Sequence, residues 1–285
     1  MISYYAGGGS YIDVDSKELV GLGYDLMKNH LIAWIDETEY RLRKKYFFND
    51  VNILIDSGAF TAFTTGRKII LEDYADFIKS FKQKWSKKVN SVNFFNLDVI
   101  GDAEKGWENQ HKLEKLNVNT IPVIHQEGFK KQHLNKSLKE YDCFAFGGLV
   151  GKRRKKEIIP FLDYCFKLIF SYVKKGNKLP KVHLLGVADP KILYRYPIYS
   201  CDSTTLMSIN KFGTSRFLKL NNLPKTGSGI NKHKRNYKYF NKYNYNKKED
   251  QKLLIKLVGY EIRQYKKQEK EITEFWKKRG IDFEI

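Results

Sequence analysis

Asn52-Ile53-Leu54-Ile55-Asp56-Ser57-Gly58 is a short apolar run that ends on a carboxylate and then breaks into small residues. Phe94-Phe95-Asn96-Leu97-Asp98 and Ile198-Tyr199-Ser200-Cys201-Asp202-Ser203 repeat that form farther along the chain. A parallel barrel strand delivers a polar side chain to the barrel mouth in this way, and barrel enzymes keep their chemistry there. Three such carboxylates point to one active site.

Other apolar or β-rich runs lie at 2–5, 120–124, 143–146, 182–187 and, less regularly, 216–220; with 51–55, 92–97 and 198–201 they make eight. Segments of helical periodicity separate most of them, such as Leu71, Tyr74, Phe77, Ile78 and Phe81, or residues 158–173. Eight alternations predict an α/β fold of the (β/α)8 TIM-barrel type, because a doubly wound open sheet has about five or six strands and a Gly-rich first turn. The run Gly7-Gly8-Gly9-Ser10 reads as a turn rather than a phosphate cradle. Composition shifts at Leu223-Pro224-Lys225-Thr226-Gly227-Ser228-Gly229. The expected layout is a catalytic barrel over 1–222, a basic Tyr/Lys-rich segment over 223–250, and an amphipathic helix within 251–285 packed on the barrel. That helix is marked by Leu253, Leu254, Leu257, Val258, Ile262, Tyr265, Ile272, Phe275 and Trp276.

The chain has 285 residues, enough for a sizeable core, and 52 Lys+Arg against 32 Asp+Glu give a net charge of +20. That balance favours a polyanionic partner such as nucleic acid, although a Lys-rich solvated surface has the same composition. Residues 230–248 carry seven Lys/Arg, Lys234 and Arg235 among them, and no acid. Tyr237, Tyr239, Phe240, Tyr243 and Tyr245 are interleaved, so the tract offers charge for phosphates and faces for unpaired bases; a solvated loop with tyrosines covering the barrel is the alternative. Lys152, Arg153 and Arg154 read either as phosphate contacts at the mouth or as a solvated helix start. Cys143, Cys165 and Cys201 are odd in number and widely spaced, which excludes a disulfide framework and a Cys-x-x-Cys metal site. With no apolar stretch near ~18 residues and no signal-like start at Met1-Ile2-Ser3-Tyr4-Tyr5, the expected setting is cytoplasmic, without a membrane.

A carboxylate followed by small residues, as in Asp56-Ser57-Gly58-Ala59-Phe60, leaves room for a flat ligand beside backbone donors. Asp98 repeats the pattern, and Val123-Ile124-His125-Gln126 brings an amide to another strand end. Carboxylate and amide together suit the polar edge of a purine-like base. Phe146-Gly147-Gly148-Leu149 exposes backbone donors and acceptors, and Leu184-Leu185-Gly186-Val187 offers an apolar wall. His125 and His183 lack companions at ligand spacing and read as interior histidines with satisfied hydrogen bonds.

In this order, over residues 50–205, these segments resemble the tRNA-guanine transglycosylase (queuine tRNA-ribosyltransferase) superfamily. Its members carry Asp-Ser-Gly-Gly-Phe-Gln, a second Asp, Val-Gln-Gly, Gly-Gly-Leu, Met-Gly-Val and a late nucleophilic Asp. The resemblance implies that Asp202 attacks C1′ of a guanosine and that Asp56 is the general acid/base. It further implies that Asp98 and Gln126 bind the base edge, the segment Gly147, Gly148 and Leu149 completes recognition, Leu185 and Gly186 border the pocket beside Ser57, and Phe60 stacks on the ring. Base exchange needs no cofactor. The chain departs from the family at Ala59, Thr61 and Ala188, and no Cys follows Cys201, so the zinc subdomain of the tRNA enzymes is not expected and no metal is assigned. Ser203-Thr204-Thr205-Leu206-Met207 replaces their Arg-rich loop. By subtraction, the expected relatives are the often phage-encoded enzymes that insert a 7-deazaguanine, of the preQ0 type, into DNA. A zinc-free tRNA enzyme and a catalytically inactive nucleic-acid-binding barrel are the alternatives.

Overall fold

The computed structural model describes residues 1–6, 26–34, 50–149, 155–203 and 248–283, and of 155 and 248–258 the backbone alone. Among the described residues eight strands form one all-parallel sheet: β1 (Ile2–Ala6), β2 (Asn29–Ala33), β3 (Asn52–Asp56), β4 (Ser91–Phe94), β5 (Val123–His125), β6 (Cys143–Gly147), β7 (Lys181–Leu184) and β8 (Ser200–Ser203). Their order is β4-β3-β2-β1-β8-β7-β6-β5, so each strand lies beside its sequence neighbour and the first lies beside the last. The sheet therefore curls. At its two ends, β4 and β5 are linked by one parallel bridge, Phe95 to Ile121. The N–H of Ile121 donates to the Phe94 carbonyl at 2.7 Å, and that of Asn96 to the Ile121 carbonyl at 3.0 Å.

The described helices are α1 (Ala59–Thr65), α2 (Leu71–Trp85), α3 (Ala103–Lys115), α4 (Lys131–Glu140), α5 (Lys155–Val173), α6 (Pro190–Leu193) and α7 (Lys248–Lys277). In α2, Tyr74, Ala75, Ile78, Phe81 and Trp85 repeat at three to four residues and form its buried face, while Glu72 and Asp73 start the helix and Lys82 and Lys84 end it, matching its dipole. The periodicities at 71–81, 158–173 and 253–276 thus correspond to α2, α5 and α7.

Seven of the expected strands occur near their predicted positions. The eighth is β2, which the apolar runs did not single out, while the 216–220 run lies outside the described residues. Asn29 and His30 hide the β2 pattern because both are polar yet buried. Asn52 Nδ2 donates to Asn29 Oδ1 at 2.8 Å, satisfying a buried acceptor on the neighbouring strand.

Alternation along the strands separates two apolar regions. Ile2, Tyr4, Ala6, Leu31, Leu54, Phe95, Val123 and Ala145 pack together on the concave face. The opposite face packs under helices, with Ile53, Ile55 and Phe94 against α2 and Phe144, Phe146 and Val182 against α5. On α7, Ile272 joins that outer core, Trp276 Nε1 donates to the Leu193 carbonyl at 2.8 Å, and the amino terminus donates to Thr273 Oγ1 at 3.0 Å. No described helix is long and apolar enough to cross a membrane.

Candidate active site

Asp56 follows Leu54 by two residues, Asp202 follows Ser200 by two, and His125 follows Val123 by two, so period-two alternation turns all three polar side chains to the concave face. Strand register sets them near one another: Tyr4 is level with Asp202, Ala33 with Asp56 and His125 with Gly147. All lie at the C-terminal strand ends.

Asp98 lies four residues beyond β4 and is held there by its surroundings. Asn109 Nδ2 donates to the Leu97 carbonyl at 2.8 Å, and Asn96 Nδ2 donates to the Gly106 carbonyl at 3.0 Å. Asn96 Oδ1 also accepts from the Val123 N–H at 3.2 Å, stitching β5 to the β4 end. A Cβ on Gly106 would sit 3.4 Å from Val99 N and 3.5 Å from Asp98 Cα, ordinary contact distances, so α3 packs directly on the loop that carries Asp98. The carboxylate itself is buried, with Ser57 Oγ donating to Oδ1 at 3.0 Å and His125 Nε2 2.8 Å from Oδ2. Gly147 makes room for that imidazole: a Cβ there would stand 2.7 Å from Val123 Cγ1 and 3.2 Å from His125 Nε2.

Asp202 is paired in a parallel manner. Its Oδ1 lies 3.2 Å from His183 Nε2 and accepts from the Gly186 N–H at 2.8 Å. Gly186 has φ +69°, a left-handed turn that aims its N–H back at the carboxylate. His183 Nδ1 lies 2.8 Å from Ser200 Oγ. A small cavity at the seam of β1, β8 and α7, lined by Ser3, Tyr4, Tyr5, Ala188, Cys201, Ser203 and Tyr265, also borders Asp202.

Asp56 retains intermediate exposure. Its removal from bulk water, with the Asp98 and Asp202 carboxylates nearby, pushes its pKa up to about 7 against the pull of the Gly58 and Ser57 N–H groups. Gly58 N–H donates to Asp56 Oδ2 at 3.2 Å. Next to Asp202 in sequence, Cys201 points into the outer core, and burial pushes its thiol up to about 12, so it stays protonated near neutral pH.

The structure thus brings Asp56, Asp98 and Asp202 together. Gln126 Oε1 is buried and finds no donor among the described residues. Ser57 is fully buried and its hydroxyl donates to Asp98, so it acts on any ligand through that carboxylate. Leu149 turns its side chain into the outer core, leaving its backbone toward the mouth end of β6, and Leu185 packs partly buried on the concave-face cluster. Phe60 stands 63 % exposed on α1. Lys152, Arg153, Arg154, Lys234 and Arg235 lie outside the described residues, as do Gly7-Gly8-Gly9-Ser10 and the tyrosines of 230–247.

Sequence reasoning overlooked the partners of His125 and His183. Both are interior histidines with hydrogen bonds, but each bond is to a candidate site carboxylate. Equal strand parity was the available signal: His183, Ser200 and Asp202 all face inward once β7 and β8 are paired. Among the described residues no cluster of His, Cys, Asp and Glu has the form of a metal site. Compared with known proteins, the chain matches no family model and no curated protein.

Proposed function

We propose that the protein is a base-exchange transglycosylase that replaces guanine in nucleic acid, DNA ahead of tRNA, with a 7-deazaguanine through a covalent Asp202 glycosyl intermediate. The observation that carries this reading is the convergence of Asp56, Asp98 and Asp202 at one set of strand ends, with Asp56 pushed up to about 7. Displacing a base from C1′ requires a nucleophile and, at the same pH, a proton for the departing base; carboxyls in unlike environments divide those tasks. Asp56 supplies the proton and Asp202 the nucleophile. Asp98, anchored by Ser57 and His125, and Gln126, with its open Oε1, take the base edge. The scaffold in this reading is a (β/α)8 barrel closed between β4 and β5, supported by the strand order and the Phe95 to Ile121 bridge.

The test is exchange of radiolabelled guanine into DNA and into tRNA, followed by trapping with a base analogue that stalls turnover. The expected result is incorporation into DNA and a denaturation-resistant adduct mapping to Asp202, absent from Asp202→Asn. Exchange into tRNA alone transfers the reading to the zinc-free tRNA enzyme. Nucleic-acid binding without exchange into either polymer makes the chain a binding barrel instead.

A further inference from the structure

We propose that His183 is a positioning residue that directs one oxygen of Asp202, Oδ2, toward the sugar, and that Ser200 sets the imidazole tautomer that permits it. The proposal rests on the reading of Asp202 as the nucleophile. Two donors converge on Oδ1: the Gly186 N–H at 2.8 Å and His183 Nε2 at 3.2 Å. Among the described residues no hydrogen bond reaches Oδ2, so the electron pairs of that oxygen remain available. His183 cannot swing away, because it is 1 % exposed, meets Tyr4 edge-on at 6.0 Å and leans on Phe95 at 5.0 Å. For a neutral imidazole to donate from Nε2, its Nδ1 must accept, and Ser200 Oγ at 2.8 Å is placed to donate that hydrogen bond.

The arrangement serves both halves of an exchange. In the first, Oδ2 forms a bond to C1′ while the bond from C1′ to the base nitrogen breaks; its electron pair leaves with the base, which takes the proton of Asp56. Oδ1 becomes the ester carbonyl and retains both donors. In the second, the incoming base gives a proton to Asp56 and attacks C1′, and the Asp202 carboxylate departs into the same two hydrogen bonds. Those donors thus hold the nucleophile before attack and stabilise it as a leaving group afterwards.

Imidazole-labelled full-length protein examined by 15N NMR should show His183 with a protonated Nε2 and a bare Nδ1, its signals assigned by their loss in His183→Gln. A protonated Nδ1 in an active enzyme overturns the role of His183 while leaving Asp202 as nucleophile. In steady-state exchange, His183→Leu should lower kcat about tenfold to a hundredfold with the KM for base unchanged, as expected for loss of one charge-assisted hydrogen bond. His183→Gln, which retains an N–H at similar reach, should restore most of that loss. Equal losses in Gln and Leu variants, or a change in KM alone, overturn the proposal. If the Leu variant does not fold, the Gln variant and Ser200→Ala decide, the latter expected to lower kcat through the wrong tautomer; unchanged kcat in Ser200→Ala removes the tautomer lock. Wild-type protein that shows the expected tautomer but no exchange sinks the nucleophile reading, and this role with it.

Discussion

Ionising Asp56 costs the folded chain free energy. Its native carboxyl titrates at about 7 instead of the ordinary 3.8, so between those values the native state keeps a proton that the unfolded chain has released. Stability from this group is therefore greatest at acid pH, falls as pH rises through that window and levels off above it. Asp56→Asn should raise Tm over wild type by a few degrees near pH 8 and hardly at all near pH 4, as read by scanning calorimetry; an equal gain at both pH values would contradict the desolvated setting. At Asp98 both carboxylate oxygens are already held, one by Ser57 and one by His125. Asp98→Ala should weaken binding of guanine or a 7-deazaguanine by about 1.5–3 kcal/mol in titration calorimetry, and unchanged affinity removes it from the pocket. The three aspartates were legible in the sequence because an apolar run ending on a carboxylate is a local pattern. Their partners were not: Ser57 and Asp98 are 41 residues apart, and His125 and Asp98 are 27 apart, so only strand pairing reveals them.

Among the elements, α1 turns Ala59 and Ala62 inward and leaves Phe60 and Phe63 63 % and 66 % exposed, followed by exposed Arg67 and Lys68. No acid lies between Asp56 and Glu72. Rings and cations beside the mouth suit unpaired bases and their phosphates, so Phe63→Ala should weaken binding of a single-stranded oligonucleotide by about 1–3 kcal/mol in fluorescence anisotropy. No change would leave α1 out of the contact. At the other end of the chain, Ile272 of α7 is fully buried in the outer core. Ile272→Ala should cost about 2–5 kcal/mol in a denaturant melt. This helix was readable from its apolar spacing, whereas β2 was not, because its apolar part, Leu31-Ile32-Ala33, is short and the strand opens on the polar, buried Asn29 and His30.

For the whole molecule, the charge of +20 sets the terms of any encounter with a polyanion. Binding to DNA should weaken steeply with salt, with log Kd rising against log salt at a slope of about 3 or more, since each neutralised phosphate releases counterions. A flat dependence would leave the cations as a solvated surface. Seven of the eight strands were readable in advance because each parallel strand here must be followed by a crossover, which spaces the apolar runs along the chain. Where the sheet ends meet was not readable, since the backbone pairing there is a single bridge, reinforced by the Asn96 side chain. The Asp98 to His125 contact crosses that same junction, between the β4 end and β5. A base seated on Asp98 and Gln126 would thus act as a clasp across the thinnest ladder of the sheet. Amide hydrogen exchange at Asn96, Ile121 and Val123 should slow on ligand binding more than exchange anywhere between β1 and β3, so that a bound base would be the last fastening of the sheet.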